Sequence, residues 1–160
     1  VVFAAGAGPG SGIARKDSVD RAGAVLLADA AEQAGVERFV QISSMGTDLV
    51  AHGAVPPGLD EVFVAYLRAK AAAEDDLRRR SGLAWTILRP GGLTNDPGTG
   101  LVTLAARVSR GSVPRDDVAL VVAALLGDRR TAGITLELTA GDLPIDRAVA
   151  ALATPTKETS

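Results

Sequence analysis

Two hydrophobic periods alternate along this chain. Short apolar runs at Val1–Ala5, Phe39–Ile42 and Trp85–Leu88 predict buried strands, and Ile134–Leu138 alternates apolar with polar positions as a half-buried strand does. Helical stripes lie between them. Val19, Ala22, Gly23, Leu26, Leu27, Ala30 and Ala34 predict a helix over Asp17–Ala34 that Gly35 stops. A second long helix is predicted from Asp60 to Arg80, ended by Gly82. Further on, Leu101–Val108 reads as extended. Asp116 or Asp117 is placed to cap a helix carrying Val118, Val121, Val122, Leu125 and Leu126, and a short helix is expected over Pro144–Leu152, with its proline at an early position. Gly6–Gly12, Gly46–Gly58 and Pro90-Gly91-Gly92 read as loops, and Thr154–Ser160 as a frayed tail.

Strands alternating with helices imply βαβ units, hence an α/β domain over residues 1–153 with a parallel sheet and helices on both faces. Val1–Ala5, Phe39–Ile42 and Thr86–Leu88 should be neighbouring strands. In such sheets ligands bind beyond the carboxyl ends of the strands. Those ends carry Gly6–Gly12, Ser43-Ser44 and Pro90-Gly91-Gly92. The chain opens inside an apolar run without an initiator Met, so the expectation is the C-terminal part of a truncated domain.

Composition narrows the chemistry. A net charge of −2 spread along 160 residues offers no basic face for nucleic acid. No apolar run approaches membrane-spanning length and no signal-like start is present, which places the expected location in the cytoplasm. Cysteine is absent, removing disulfides and thiolate chemistry. No set of His and carboxylates has metal-ligand spacing, so no metal site is expected. The single histidine, His52, sits in a Gly/Pro-rich stretch with no G-x-S-x-G elbow around either nearby serine, and reads as a solvated loop residue.

The glycine cluster spells neither G-x-G-x-x-G nor a P-loop. It fits a close approach of backbone to a nucleotide, and equally a flexible connection. Tyr66 and Lys70 stand four apart, on one helix face with Phe63, Leu67, Ala73 and Leu77. An ammonium beside a phenol stabilises the phenolate, which would lower the tyrosine pKa toward neutrality. Spacing alone does not separate this from a packed tyrosine and a lysine reaching water. Ser43-Ser44 offers hydroxyls that could hold a carbonyl or cap a turn. Backbone amides are expected to be free after the strand ending in Arg89-Pro90-Gly91.

Taken in order, V-V-F-A-A-G, A-A-E-Q-A-G-V-E-R-F-V-Q-I-S-S, Y-L-R-A-K-A-A-A-E, W-T-I-L-R-P-G-G-L-T and P-R-D-D-V-A resemble the short-chain dehydrogenase/reductases, in their extended and atypical, NmrA-like branches. The resemblance covers residues 1–100 and extends to 114–119. It implies a Rossmann-type fold and NAD or NADP as cofactor, with the family's first glycine-rich turn lying before Val1. By that resemblance Ala4, Ala5 and Gly6 lie against the ribose and pyrophosphate, and Ser43 approaches the nicotinamide. Ser44 orients a small-molecule substrate, Tyr66 is the acid/base, and Lys70 holds the nicotinamide ribose. Pro90, Gly91, Gly92 and Leu93 form the loop beside the nicotinamide ring. The implied activity is NAD(P)H-dependent oxidoreduction of a small carbonyl or related compound, with a non-catalytic NAD(P)-binding redox sensor as the alternative. Without the first turn, the 160-residue chain is expected to bind the dinucleotide weakly. Its Val1–Ala5 edge is expected to favour self-association into a homo-oligomer.

Overall fold

The computed structural model describes residues 1–53, 55 and 57–152. The tail from Thr154 and the side chain of His52 lie outside the described residues. In chain order the elements are β1 (Val2–Phe3), α1 (Ile13–Lys16), a π-helical turn (Asp17–Ala22), α2 (Gly23–Gln33), β2 (Arg38–Ile42), a 3₁₀ turn (Thr47–Gly53), α3 (Glu61–Arg78) and β3 (Ala84–Pro90). These are followed by β4 (Gly92–Thr94), β5 (Leu101–Ala105), β6 (Ser112–Pro114), α4 (Arg115–Gly127), a 3₁₀ turn (Arg129–Thr131), β7 (Ile134–Ala140), β8 (Leu143–Pro144) and α5 (Ile145–Leu152).

The main sheet has the order β1-β2-β3-β7-β5-β8. Its first four strands are parallel, with Val2 opposite Val40, Phe39 opposite Trp85 and Leu88 opposite Leu136. The three strands expected to be neighbours are neighbours, and parallel. β5 runs antiparallel to β7, and β8 antiparallel to β5. β4 and β6 form a separate two-stranded ladder that the sequence did not announce.

Alternation within the strands distributes the core. Phe3, Phe39 and Ile87 pack with Ala24, Ala28, Ala31, Ala73 and Leu77, which puts α2 and α3 on one face. Leu88, Leu136 and Leu138 pack with Val118, Val121, Leu125 and Val149, which puts α4 and α5 on the other. Helices thus cover both faces, as the βαβ pattern requires.

Local signals explain the helix ends. Asp60 caps α3 by accepting from the Phe63 amide at 3.1 Å, and Glu61 and Arg78 complement the helix dipole at its two ends. Gly35 closes α2 with φ +68°. Its amide donates to Glu32 O and that of Val36 donates to Ala31 O, a Schellman arrangement only a left-handed residue permits.

Three local expectations fail. The first helix starts at Ile13 rather than Asp17, because the π-helical turn joins α1 to α2 without a break. Pro144 lies in β8, before α5 rather than inside it. Neither Asp116 nor Asp117 is the N-cap of α4, a position held by Pro114. Asp117 is instead fully buried and accepts from the Thr99 and Gly100 amides at 3.0 and 2.8 Å, tying down the loop before β5.

Candidate functional site

A cleft of about 540 Å³ opens beyond the carboxyl ends of β1 and β2. Its floor is Ala4, Ala5 and Gly6, and its walls include Ser43, Tyr66, Lys70 and Leu93. The βαβ order places these residues together: each parallel strand delivers its terminal loop to the same edge, and α3 presents Tyr66 and Lys70 toward it.

Lys70 is buried, with 4% of its surface exposed. Its Nζ donates to Ala5 O at 3.3 Å and Ile42 O at 3.2 Å, and faces Asp20 Oδ1 at 3.1 Å. Burial pulls the Lys70 pKa down, opposed by the Asp20 carboxylate. Asp20 comes from the π-helical turn, is wholly buried, and also accepts from the Ala7 amide at 3.1 Å. One carboxylate therefore joins the glycine segment to the lysine of α3.

Tyr66 is half-buried and stacks on Phe63, ring centroids 5.9 Å apart. Two ammonium groups lie against its ring, Lys16 Nζ at 5.4 Å and Lys70 Nζ at 5.8 Å from the centroid. The phenol does not behave as the pairing with lysine suggested. Burial raises its pKa, with the Asp20 charge adding to the rise and the neighbouring Ser44 hydroxyl opposing it. Raised by burial, Tyr66 remains a protonated phenol at neutral pH. Ser44 donates to Met45 O at 3.1 Å.

Ser43 plays a different part from its neighbour. Its buried hydroxyl donates to Glu74 Oε1 at 2.5 Å. Glu74, 1% exposed, also receives Arg89 Nε at 2.9 Å, Arg89 Nη2 at 2.6 Å and Arg78 Nη2 at 2.9 Å. Arg89 reaches on to Asp48 at 3.0 Å. This buried network clamps the end of β2 to α3 and β3, one turn behind the tyrosine–lysine pair.

The loop after β3 departs from expectation. Leu93 lines the cleft; Pro90, Gly91 and Gly92 do not. The amides of Gly91 and Gly92 are not free, because they donate to Leu138 O and Gly111 O at 2.9 Å each. The strand direction continues past Pro90: the Gly91 amide extends the pairing of β3 with β7, and the Gly92 amide enters the β4–β6 ladder. Sequence reasoning also missed Lys16, Asp20, Glu74 and Arg89. Glu74 had a signal, being the next step of four after Tyr66 and Lys70. Among the described residues no cluster of His and carboxylates could hold a metal ion, and no helix is long and apolar enough to cross a membrane.

Residues 1–129 match the NAD(P)H-binding family. Over 149 residues the chain is 40% identical to the Bacillus subtilis protein named "Uncharacterized sugar epimerase YhfK", an alignment covering 93% of this chain and 66% of that protein. A solved Bacillus halodurans structure, provisionally named an NAD-dependent epimerase/dehydratase, superimposes with a TM-score of 0.84 at 40% identity, over 94% of this chain and 68% of that one. The Lactococcus lactis oxidoreductase ylbE superimposes with a TM-score of 0.78 at 30% identity, over 94% of this chain and 66% of that one. The chain spans about two thirds of the length of these relatives.

Proposed function

The chain belongs to the NAD(P)H-binding family, with the Rossmann-type fold of the atypical short-chain dehydrogenase/reductases, and from that premise we propose that its protein reduces a small carbonyl compound with NAD(P)H. The observation that carries this reading is the meeting of Tyr66 and Lys70 at one cleft, with the Ser44 hydroxyl beside the phenol though not among the lining residues. The cleft also suits the cofactor. Its floor of Ala4, Ala5 and Gly6 carries nothing larger than a methyl group, so a flat ligand can lie against main chain there.

When bound, NAD(P)H supplies the hydride. Ser44 donates a hydrogen bond to the substrate carbonyl oxygen and orients it beside the phenol. Tyr66 gives its proton to that oxygen. A phenol that burial keeps protonated suits the acid of a reduction. The tyrosinate left behind is stabilised by the Lys70 and Lys16 ammoniums on its ring faces. Lys70 takes the nicotinamide ribose by exchanging one of its two long bonds to Ala5 O and Ile42 O. An epimerase, as two of the relatives are named, would need the phenol to act first as a base, which its burial opposes.

One observation favours the competing reading, a non-catalytic NAD(P)-binding regulator of the NmrA-like kind. Lys70 already faces three protein acceptors, as a purely structural lysine would. NAD(P)H oxidation across a panel of aldehydes, ketones and quinones separates the two. Reduction is expected, with Tyr66→Phe lowering kcat by about 10²–10⁴ while cofactor affinity holds. Cofactor binding without turnover on any carbonyl would favour the regulator.

A further inference from the structure

The charges of the cleft do not cancel. Lys70 is paired with Asp20, and Asp60 is engaged as the cap of α3. Lys16 is only 8% exposed, yet its Nζ meets a neutral acceptor, Gly8 O at 2.7 Å, and no carboxylate among the described residues lies within ion-pair distance of it. Arg115, at the exposed mouth, bonds the neutral Asn95 side chain at 3.0 Å. Lining the cleft are thus three cations, Lys16, Lys70 and Arg115, against two carboxylates, in a chain whose overall charge is −2. A buried ammonium without a counter-ion is costly unless something else supplies the negative charge. A cleft with low-dielectric walls concentrates that demand at its mouth.

We infer that Lys16, assisted by Arg115, binds an oxyanion on the substrate, so that the compounds this site takes are carbonyls bearing a carboxylate or phosphate. The inference rests on the functional reading above for the carbonyl, and on Lys16 alone for the anion. Position supports it. Lys16 and Lys70 lie against the same Tyr66 ring, but only Lys70 is anchored to the strand ends where the cofactor floor lies. Lys16 is anchored to the outer glycine loop, so its spare N–H groups serve a substituent next to the carbonyl that Tyr66 protonates. The π-helical turn that follows holds Asp20 toward the same cleft, four residues on. Such widened turns are frequent at functional sites.

Matched pairs of probes test this on the full 160-residue chain: pyruvate against pyruvamide, and dihydroxyacetone phosphate against dihydroxyacetone. Binding is read by calorimetry with and without NADPH, and turnover by NADPH oxidation. Lys16→Gln keeps a donor for Gly8 O and removes the charge; Lys16→Arg keeps the charge. At least one anionic probe should bind about tenfold more tightly than its neutral partner. Lys16→Gln should erase that preference without lowering the melting temperature, and Lys16→Arg should restore it. Preference for pyruvate identifies a carboxylate, and preference for dihydroxyacetone phosphate a phosphate. Equal affinity within both pairs, no saturable anion binding by about 10 mM, or a Lys16→Gln variant that loses NADPH instead of the anion would each overturn the inference. Lys16-dependent anion binding with no turnover of any carbonyl, at an NADPH concentration that calorimetry shows to saturate the chain, would uphold the anion site and sink the reductase reading.

Discussion

Replacing Glu74 with glutamine isolates the buried clamp behind the site. In the native chain Oε2 accepts from Arg89 Nη2 at 2.6 Å and from Arg78 Nη2 at 2.9 Å, while Oε1 accepts from Arg89 Nε, Ser43 and Thr47. An amide can keep one acceptor oxygen but turns the other into a donor facing two guanidiniums. The Arg89 bond, fully desolvated, is worth about 1.5–3 kcal/mol. The Arg78 bond belongs to a side chain one third exposed, so screening reduces it to about 1 kcal/mol or less. The expected loss is therefore about 2–4 kcal/mol, a large share of the roughly 5–15 kcal/mol that holds a domain folded. Urea denaturation should show a lower midpoint with an unchanged slope. Arg89→Met and the double variant complete a thermodynamic cycle, in which the two changes should be strongly non-additive. A loss below about 1 kcal/mol, or a coupling energy near zero, would refute the claim that this pair carries stability.

Asp20→Asn strips Lys70 of its counter-ion at 3.1 Å and should cost about 3–5 kcal/mol at neutral pH. Because the stranded ammonium's pKa is lowered in the folded state, that loss should shrink as pH rises through it, measurable by urea titration at several pH values. Gly91→Ala should abolish soluble expression or lower the melting temperature sharply, since a Cβ there runs into the Gly111 main-chain carbonyl; an unchanged melting curve would show that the β3–β4 junction yields. Burial alone would raise the Asp117 pKa, but the Thr99 and Gly100 amides outweigh it and hold the carboxyl below its ordinary value. Its stabilisation is then full above the unfolded pKa of about 3.9 and lost as pH falls through the folded value. Asp117→Asn should flatten that acid limb in melting curves taken from pH 6 to pH 2.

Short continuous apolar runs against period-3.6 stripes were enough to read the parallel sheet, and an i, i+4 tyrosine and lysine on an apolar face were enough to bring them to the strand ends. What escaped was long-range or irregular. Asp20 and Lys16 lie where the helix was read as starting, and a π-helical turn has no residue signature. Their roles depend on Tyr66 and Lys70, each 50 residues away from its partner. Arg89, a charge within a buried strand, was a visible demand for a partner, and Glu74 lay on the stripe already identified. The Gly92 amide was misjudged because three-residue strands such as β4 and β6 are too short to leave a pattern, and the Gly91 amide because the pairing of β3 with β7 runs one residue past Pro90. Asp117 looked like a cap because a carboxylate before an apolar helix usually is one; here the loop at Thr99–Gly100 competed for it and won.

The widened turn at Asp17–Ala22 makes the front of the first helix adjustable independently of its back. Each α-helical residue advances the direction of its side chain by about 100°. Deleting one residue from that turn ahead of Asp20 would restore an ordinary α-helix and swing Lys16 more than a quarter-turn off the cleft while Asp20 keeps its place beside Lys70. Ala24, Ala28 and Ala31 would meanwhile keep their seats against Phe39. Length changes in this one turn therefore offer the lineage a route to new ligand preferences that leaves the core untouched, with no substitution at the tyrosine or at either lysine.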